Sequence, residues 1–279
     1  MKKILYWVVL VALIAIFLYS AYCVVTYYIG SQENEAVYEE LSQLVVDRPT
    51  IPLPQPSQPA EEETVPEVTE PEQVLVTARN HKTGETQKVL PEYVQLYLKN
   101  PDLIGWISID GTKINYPVVQ SDTEQPNYYL NRNFEGKYSV YGCIYAAETA
   151  DVLAPSDNIP MFGHRMNDDS MFAQLRFYTD RDFWQDHQYI RFDSLQERHL
   201  YQIICVFAIS TSEAKNFPYH NFIDAADEEA FDDFLYQCEK LRYYDTGLTA
   251  QYGDKLITLS TCEYSHNNGR LVVVAKQIA

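Results

Sequence analysis

Between Leu103 and the C-terminus, eight short apolar runs alternate with turn-forming residues. They are Leu103–Ile109, Ile114–Val119, Gly142–Ala146, Ile159–Gly163, Tyr189–Asp193, Leu200–Ile209, Leu256–Thr261 and Leu271–Ile278. Runs of this length, rich in β-branched and aromatic residues and bounded by Gly, Asn, Asp and Pro, read as β-strands. Eight of them within roughly 190 residues, enough for one globular domain, restrict the fold to a closed barrel or a sandwich.

Two helical patterns interrupt the strands. Pro91–Lys99 is a short helix with a proline suited to its first turn. Asp227–Arg242 is longer and sets Phe231, Phe234, Leu235, Cys238 and Leu241 on one face. Acidic Asp227, Glu228 and Glu229 open it and Lys240 and Arg242 close it, as the helix dipole favours. It falls between the sixth and seventh strands.

The last two runs flank a polar loop with Asn267, Asn268 and Gly269, which reads as a β-hairpin. A hairpin brings Cys262, at the end of one strand, beside Arg270, at the start of the next. A guanidinium beside a thiol favours the reactive thiolate and can also stabilise an oxyanion. A cysteine in a β-rich stretch can equally be a buried apolar residue. Spacing alone leaves both readings open.

The N-terminus divides the chain into further segments. Lys2 and Lys3 (residues 1–3, a cytoplasmic tail) precede an uncharged run, Ile4–Gly30, long enough to span a bilayer. A cleaved signal peptide has a shorter apolar region ending in small residues. This run ends in Tyr27-Tyr28, an interfacial residue type, so it reads as an uncleaved anchor with the two lysines inside. Residues 31–48 carry Val37, Leu41, Leu44 and Val45 at helical spacing, a juxtamembrane helix. Residues 49–75 hold seven prolines among acidic side chains, a linker that buries no core and gives reach. Residues 76–279 are then the functional domain, outside the cell. Beyond the span the net charge is −20, which excludes nucleic acid as a partner because that affinity needs Lys and Arg contacts to phosphate.

Of five cysteines, Cys23 lies in the span and none forms a C-x-x-C pair, which speaks against zinc. Cys143 and Cys205 sit in apolar strand patterns and Cys238 on the apolar helix face, so all three read as buried free thiols. No metal or cofactor is implied by the motifs. The Asn167-Asp168-Asp169 loop reads as a solvated turn.

Ordered motifs carry a resemblance. Thr258-Leu259-Ser260-Thr261-Cys262 with Arg270 downstream resembles the Thr-Leu-x-Thr-Cys signature of sortases, and the serine resembles class B in particular. Asn100–Gln120, Asn127–Leu130 (NYYL), Gly142–Tyr145 (GCIY) and Gly163-His164-Arg165-Met166 continue it, so that about Pro91 to Ile278 is covered. The resemblance implies a mainly β fold, a closed eight-stranded barrel with short N-terminal helices and a long helix between strands six and seven. It implies a cysteine transpeptidase in which Cys262 is the nucleophile, His164 the general acid and Arg270 the oxyanion partner. Ser260, Thr261 and Glu263 flank the nucleophile as candidate substrate contacts. The implied substrates are secreted proteins with a C-terminal sorting signal of Pro-x-Thr type, and the acceptor is a peptidoglycan precursor amine in a Gram-positive wall.

Three other readings compete. A pilin-polymerising sortase would share these residues and use a pilin lysine. A papain-type protease expects Cys before His and a Cys on a helix, the reverse of this order. A non-enzymatic wall-binding β-domain would carry no reactive thiol. Among six histidines, His266 is the nearest rival to His164, but it lies in a polar loop, whereas a general acid needs fixed geometry. His187 and His199 read as structural, His81 as exposed, and His220 as edging the groove.

Overall fold

The computed structural model describes residues 2–45, 48–54, 75–79, 86–210, 217–263 and 269–279. His81, His266 and most of the expected linker lie outside the described residues. The chain forms two compact units, Met1–Gln43 and Leu44–Ala279.

The first unit is one helix, α1 (Lys2–Gln43). The expected span and juxtamembrane helix therefore run on as a single element, since one glycine, Gly30, and no proline interrupt the pattern. It is long and apolar enough to cross a membrane. Its apolar side chains, from Ile4 to Ile29, are exposed.

In the second unit β1 (Val76–Arg79) and β2 (Thr86–Val89) make a small antiparallel sheet, followed by a single 3-10 turn at Pro91–Tyr93 and α2 (Val94–Lys99). The eight expected strands appear as β3 (Leu103–Ser108), β4 (Asn115–Val119), β5 (Ile144–Ala146), β6 (Asn158–Phe162), β7 (Tyr189–Ser194), β8 (Arg198–Ser210), β9 (Leu256–Glu263) and β10 (Gly269–Gln277). They close into a barrel in the order β10-β8-β7-β3-β4-β5-β6-β9. Closure removes the edge strands that an open sheet would expose. Six of the pairings in that ring are antiparallel, while β4–β5 and β6–β9 are parallel.

Between β6 and β7 the chain makes a 3-10 segment (Ala173–Thr179) and α3 (Arg181–Asp186). The late helix, α4 (Glu228–Leu241), starts as expected: the Asp227 side chain accepts from the Ala230 N–H at 2.9 Å. Its buried Phe231, Phe234 and Cys238 cluster with Cys205, Phe207, Val272 and Val274 of β8 and β10, and Phe222 stacks on Phe234 at 4.0 Å. That packing fixes the later part of the β8–α4 connection, which matters for the site.

Packing of the second unit begins earlier than residue 76, the expected boundary. Arg48 lies across the outer faces of β3 and β4. Its guanidinium donates to Ser108 Oγ (2.9 Å) and Asn115 Oδ1 (3.3 Å) and sits 5.4 Å from the centre of the Trp106 ring. Ile51 O accepts from Arg191 of β7 at 3.2 Å. A proline-rich composition hid this strap from the sequence reading.

Candidate active site

β9 and β10 pair antiparallel with Arg270 directly opposite Cys262. The hairpin reading thus holds in register, although both residues lie just inside their strands rather than beyond them. On the other side of β9, the parallel ladder to β6 sets Phe162 level with Ser260. Carried on by two residues, that register brings His164 level with Cys262. Gly163 N–H donates to Ser260 O at 3.2 Å and Thr261 Oγ1 donates to Gly163 O at 2.8 Å, which pins the exit of β6 to β9. Gly163 is needed here for room rather than for a turn. A Cβ at that position would lie 2.8 Å from the Phe172 ring.

These residues line one cavity of about 630 Å³, together with Asn127, Leu130, Tyr145, Pro218, Tyr219 and His220. His164, Cys262 and Arg270 are all part-buried, open enough for a substrate and sheltered enough to act outside bulk water. The His164 loop folds back on itself: Phe172 N–H donates to His164 O at 3.0 Å, and Arg165 bridges Met171. The His164 imidazole donates from Nε2 to Leu130 O at 2.7 Å.

The other thiols differ. Cys143, Cys205 and Cys238 are buried, and burial pushes the Cys205 thiol up to about 12 and the Cys238 thiol well above its ordinary value. A thiol so protected is inert, whereas Cys262 is accessible from the cavity.

Ser260 and Thr261, expected as substrate contacts, line the cavity, yet each is only 2% exposed. Their hydroxyls are engaged within the protein, Ser260 Oγ with Tyr219 OH at 2.8 Å and Thr261 Oγ1 with Gly163. Glu263 is paired with Gly269 in the ladder, and its side chain lies outside the described residues.

Sequence reasoning assigned no role to Tyr145 and Tyr219. Burial raises both phenols, with the Cys262 side chain adding to this and the Arg270 guanidinium opposing it. Both rings therefore stand within electrostatic reach of the Cys262–Arg270 pair and remain protonated donors. Tyr145 OH donates to Asn127 Oδ1 at 3.0 Å. His220 also edges the cavity. Burial and the nearby Arg270 charge lower its pKa. Asn127 and Tyr145 fall inside the NYYL and GCIY motifs, so the signal was there without a role attached. His187 stacks on Phe183 at 4.1 Å, and His199 is part-buried beside Gln277, away from the cavity.

Against known families, residues 107–278 match the sortase domain model. The chain belongs to the sortase family, class B. Sortase B of Staphylococcus aureus is 30% identical over 196 residues, covering 69% of this chain and 77% of that protein. Sortase B of Listeria monocytogenes is 30% identical over 205 residues, covering 72% and 78%. The fold superimposes on sortase B from Bacillus anthracis in complex with AAEK1 with a TM-score of 0.68 at 26% identity, covering 90% of this chain and 99% of that one. A Staphylococcus aureus sortase B–substrate complex gives 0.61 at 30% identity, covering 68% and 86%. Sortases are cysteine transpeptidases of cell-wall sorting, which removes the papain-type and the non-enzymatic readings of this barrel.

Proposed function

We propose that this sortase is membrane-anchored through α1, with residues 1–3 inside and the barrel outside the cell. It cleaves a C-terminal sorting signal of Pro-x-Thr type and passes the acyl group to a peptidoglycan amine. The observation that carries the reading is the register that sets Arg270 opposite Cys262, with His164 on the adjoining strand exit in the same cavity.

The Cys262 thiolate attacks the threonine carbonyl carbon, and the developing oxyanion is met by the Arg270 guanidinium. Protonated His164 gives its proton to the leaving nitrogen, the C–N bond breaks, and a thioester forms. The acceptor amine then attacks that carbonyl and loses a proton to the now neutral His164. The C–S bond breaks and returns the thiolate. Water in place of the amine would give hydrolysis as a side activity. A pilin-polymerising sortase would use the same residues with a pilin lysine as acceptor.

The test is turnover of fluorescent peptides varied around a Pro-x-Thr core, with and without added amines. Cleavage after Thr that turns from hydrolysis to transfer as wall-type amines are added supports the reading. Cleavage that ignores the Pro-x-Thr core, or transfer to lysine side chains alone, overturns the substrate or the acceptor assignment respectively.

A further inference from the structure

Two observations meet at the Leu130 carbonyl. His164 Nε2 lies 2.7 Å from Leu130 O. From the other side Gly142, at φ +61°, packs so closely that a Cβ there would meet Leu130 O well inside contact and lie 2.9 Å from Tyr129 O. The carbonyl is further fixed by its neighbours: Cys143 N–H donates to Tyr129 O at 3.0 Å, and Leu130 N–H donates to Asn127 O at 3.0 Å. Gly142 opens the GCIY motif and has no part in the chemistry described above.

A carbonyl oxygen can only accept, so the ring nitrogen facing it must carry a proton in both the charged and the neutral ring. In a neutral imidazole the other nitrogen then holds the lone pair. We propose that Leu130 O, held in place by the absence of a side chain at Gly142, fixes His164 as the Nε2–H tautomer and makes Nδ1 the nitrogen that exchanges protons with the substrate. The proposal rests on the reading of His164 as the general acid. In the first half-reaction the Nδ1–H proton passes to the leaving nitrogen and the ring becomes neutral, still bonded through Nε2–H to Leu130 O. In the second, Nδ1 takes the proton of the attacking amine. No rotation of the ring is needed between the two. A backbone carbonyl thus orients the imidazole as a carboxylate does in many acid–base triads.

The direct test is nitrogen-15 spectroscopy of the full chain, labelled at histidine, in detergent micelles at a pH where the imidazoles are neutral. The His164 signals are assigned by their loss in His164→Ala. The expected result is protonated Nε2 and unprotonated Nδ1. A neutral ring protonated on Nδ1 overturns the proposal.

The second arm is Gly142→Ala, which presses on the carbonyl without touching the cavity chemistry. A displacement of the acid of this kind should lower kcat roughly 10- to 100-fold with KM little changed, and should mix the two tautomers. A folded Gly142→Ala protein with unchanged kcat and a pure Nε2–H ring removes Gly142 from the proposal. If that variant does not fold, the wild-type tautomer still decides. Loss of the underlying catalytic reading is seen separately: His164→Ala would then keep its activity.

Discussion

Two charged constellations sit on this barrel, and they differ in what each group faces. On one flank the buried Tyr93 and Asp193 meet the part-buried Arg48, Glu92 and Arg198. Tyr93 OH donates to Asp193 Oδ2 at 2.6 Å, Arg198 pairs with Glu92, and Arg48 reaches Asp193 at 4.0 Å. Burial raises the Asp193 carboxyl above its ordinary value, and the Tyr93 and Arg48 contacts oppose this only in part. At the other place Cys262, His164 and Arg270 line a cavity that a substrate can fill. A charge enclosed among protein partners serves the fold. A charge left facing a cavity serves chemistry, because only there can interactions strengthen as a transition state forms.

The comparison breaks if variants on the two sides behave alike. The largest effect is expected from Cys262→Ala, which leaves no nucleophile and abolishes both cleavage and transfer in a peptide turnover assay, while alanine at Cys143, Cys205 or Cys238 leaves the chemistry in place. A second essential cysteine would remove the contrast between exposed and buried thiols. His164→Ala should likewise eliminate detectable transfer, and His266→Ala should retain most of it. The reverse ranking in proteins with unchanged circular dichroism moves the acid to His266.

Next comes Arg270→Lys, which keeps the charge and loses the planar donor fork. Turnover should fall by about 10²–10³, as for loss of one oxyanion donor, with thermal unfolding unchanged. On the opposite flank Arg48→Met should do the converse. Its charge-assisted hydrogen bonds and ring contact are lost, and stability falls by about 2 kcal/mol in denaturant titration, with kcat per folded molecule intact. A fall in kcat there would mean that the flank is coupled to the site.

The smallest effect sharpens the picture at the base of the β6–β9 ladder. Burial raises the Asp157 carboxyl, but the Lys255 ammonium at 2.9 Å and the Ala225 N–H outweigh this and bring it below its ordinary value. A lowered carboxylate contributes stability above the unfolded value of 3.8 and loses it as pH falls through the folded one. Asp157→Asn should therefore cost about 1 kcal/mol near neutral pH. The gap between the two unfolding curves should close below pH 3.8. A gap that widens in acid would reverse the sign of this account.

Much of this was legible before any coordinates. The eight strands fall within a few residues of their apolar runs, because half-buried β-strands announce themselves by composition and turn residues. The Cys262–Arg270 pairing was legible because a hairpin is a local object. The β6–β9 pairing was not, since no periodicity says which distant strand will be the neighbour. The 3-10 segments at Tyr128–Asn131 and Ala173–Thr179 mix aromatic and polar residues without a helical stripe, and so gave no signal. The strap at Arg48 was hidden by the prolines around it. The Tyr219–Ser260 bond joins a loop to a strand 41 residues away, and local sequence says nothing of it.

The parallel β6–β9 ladder has a consequence for when this molecule becomes reactive. Its partners, Phe162 and Ser260, are 98 residues apart, the same separation as His164 and Cys262. Contacts so far apart in the chain form late, after the intervening loops have been closed. Until then Cys262 has neither His164 nor the cavity beside it. The closing seam of the barrel is thus also a safety catch. A half-made chain has no means of acylating itself or its neighbours, and competence arrives only with the last strand.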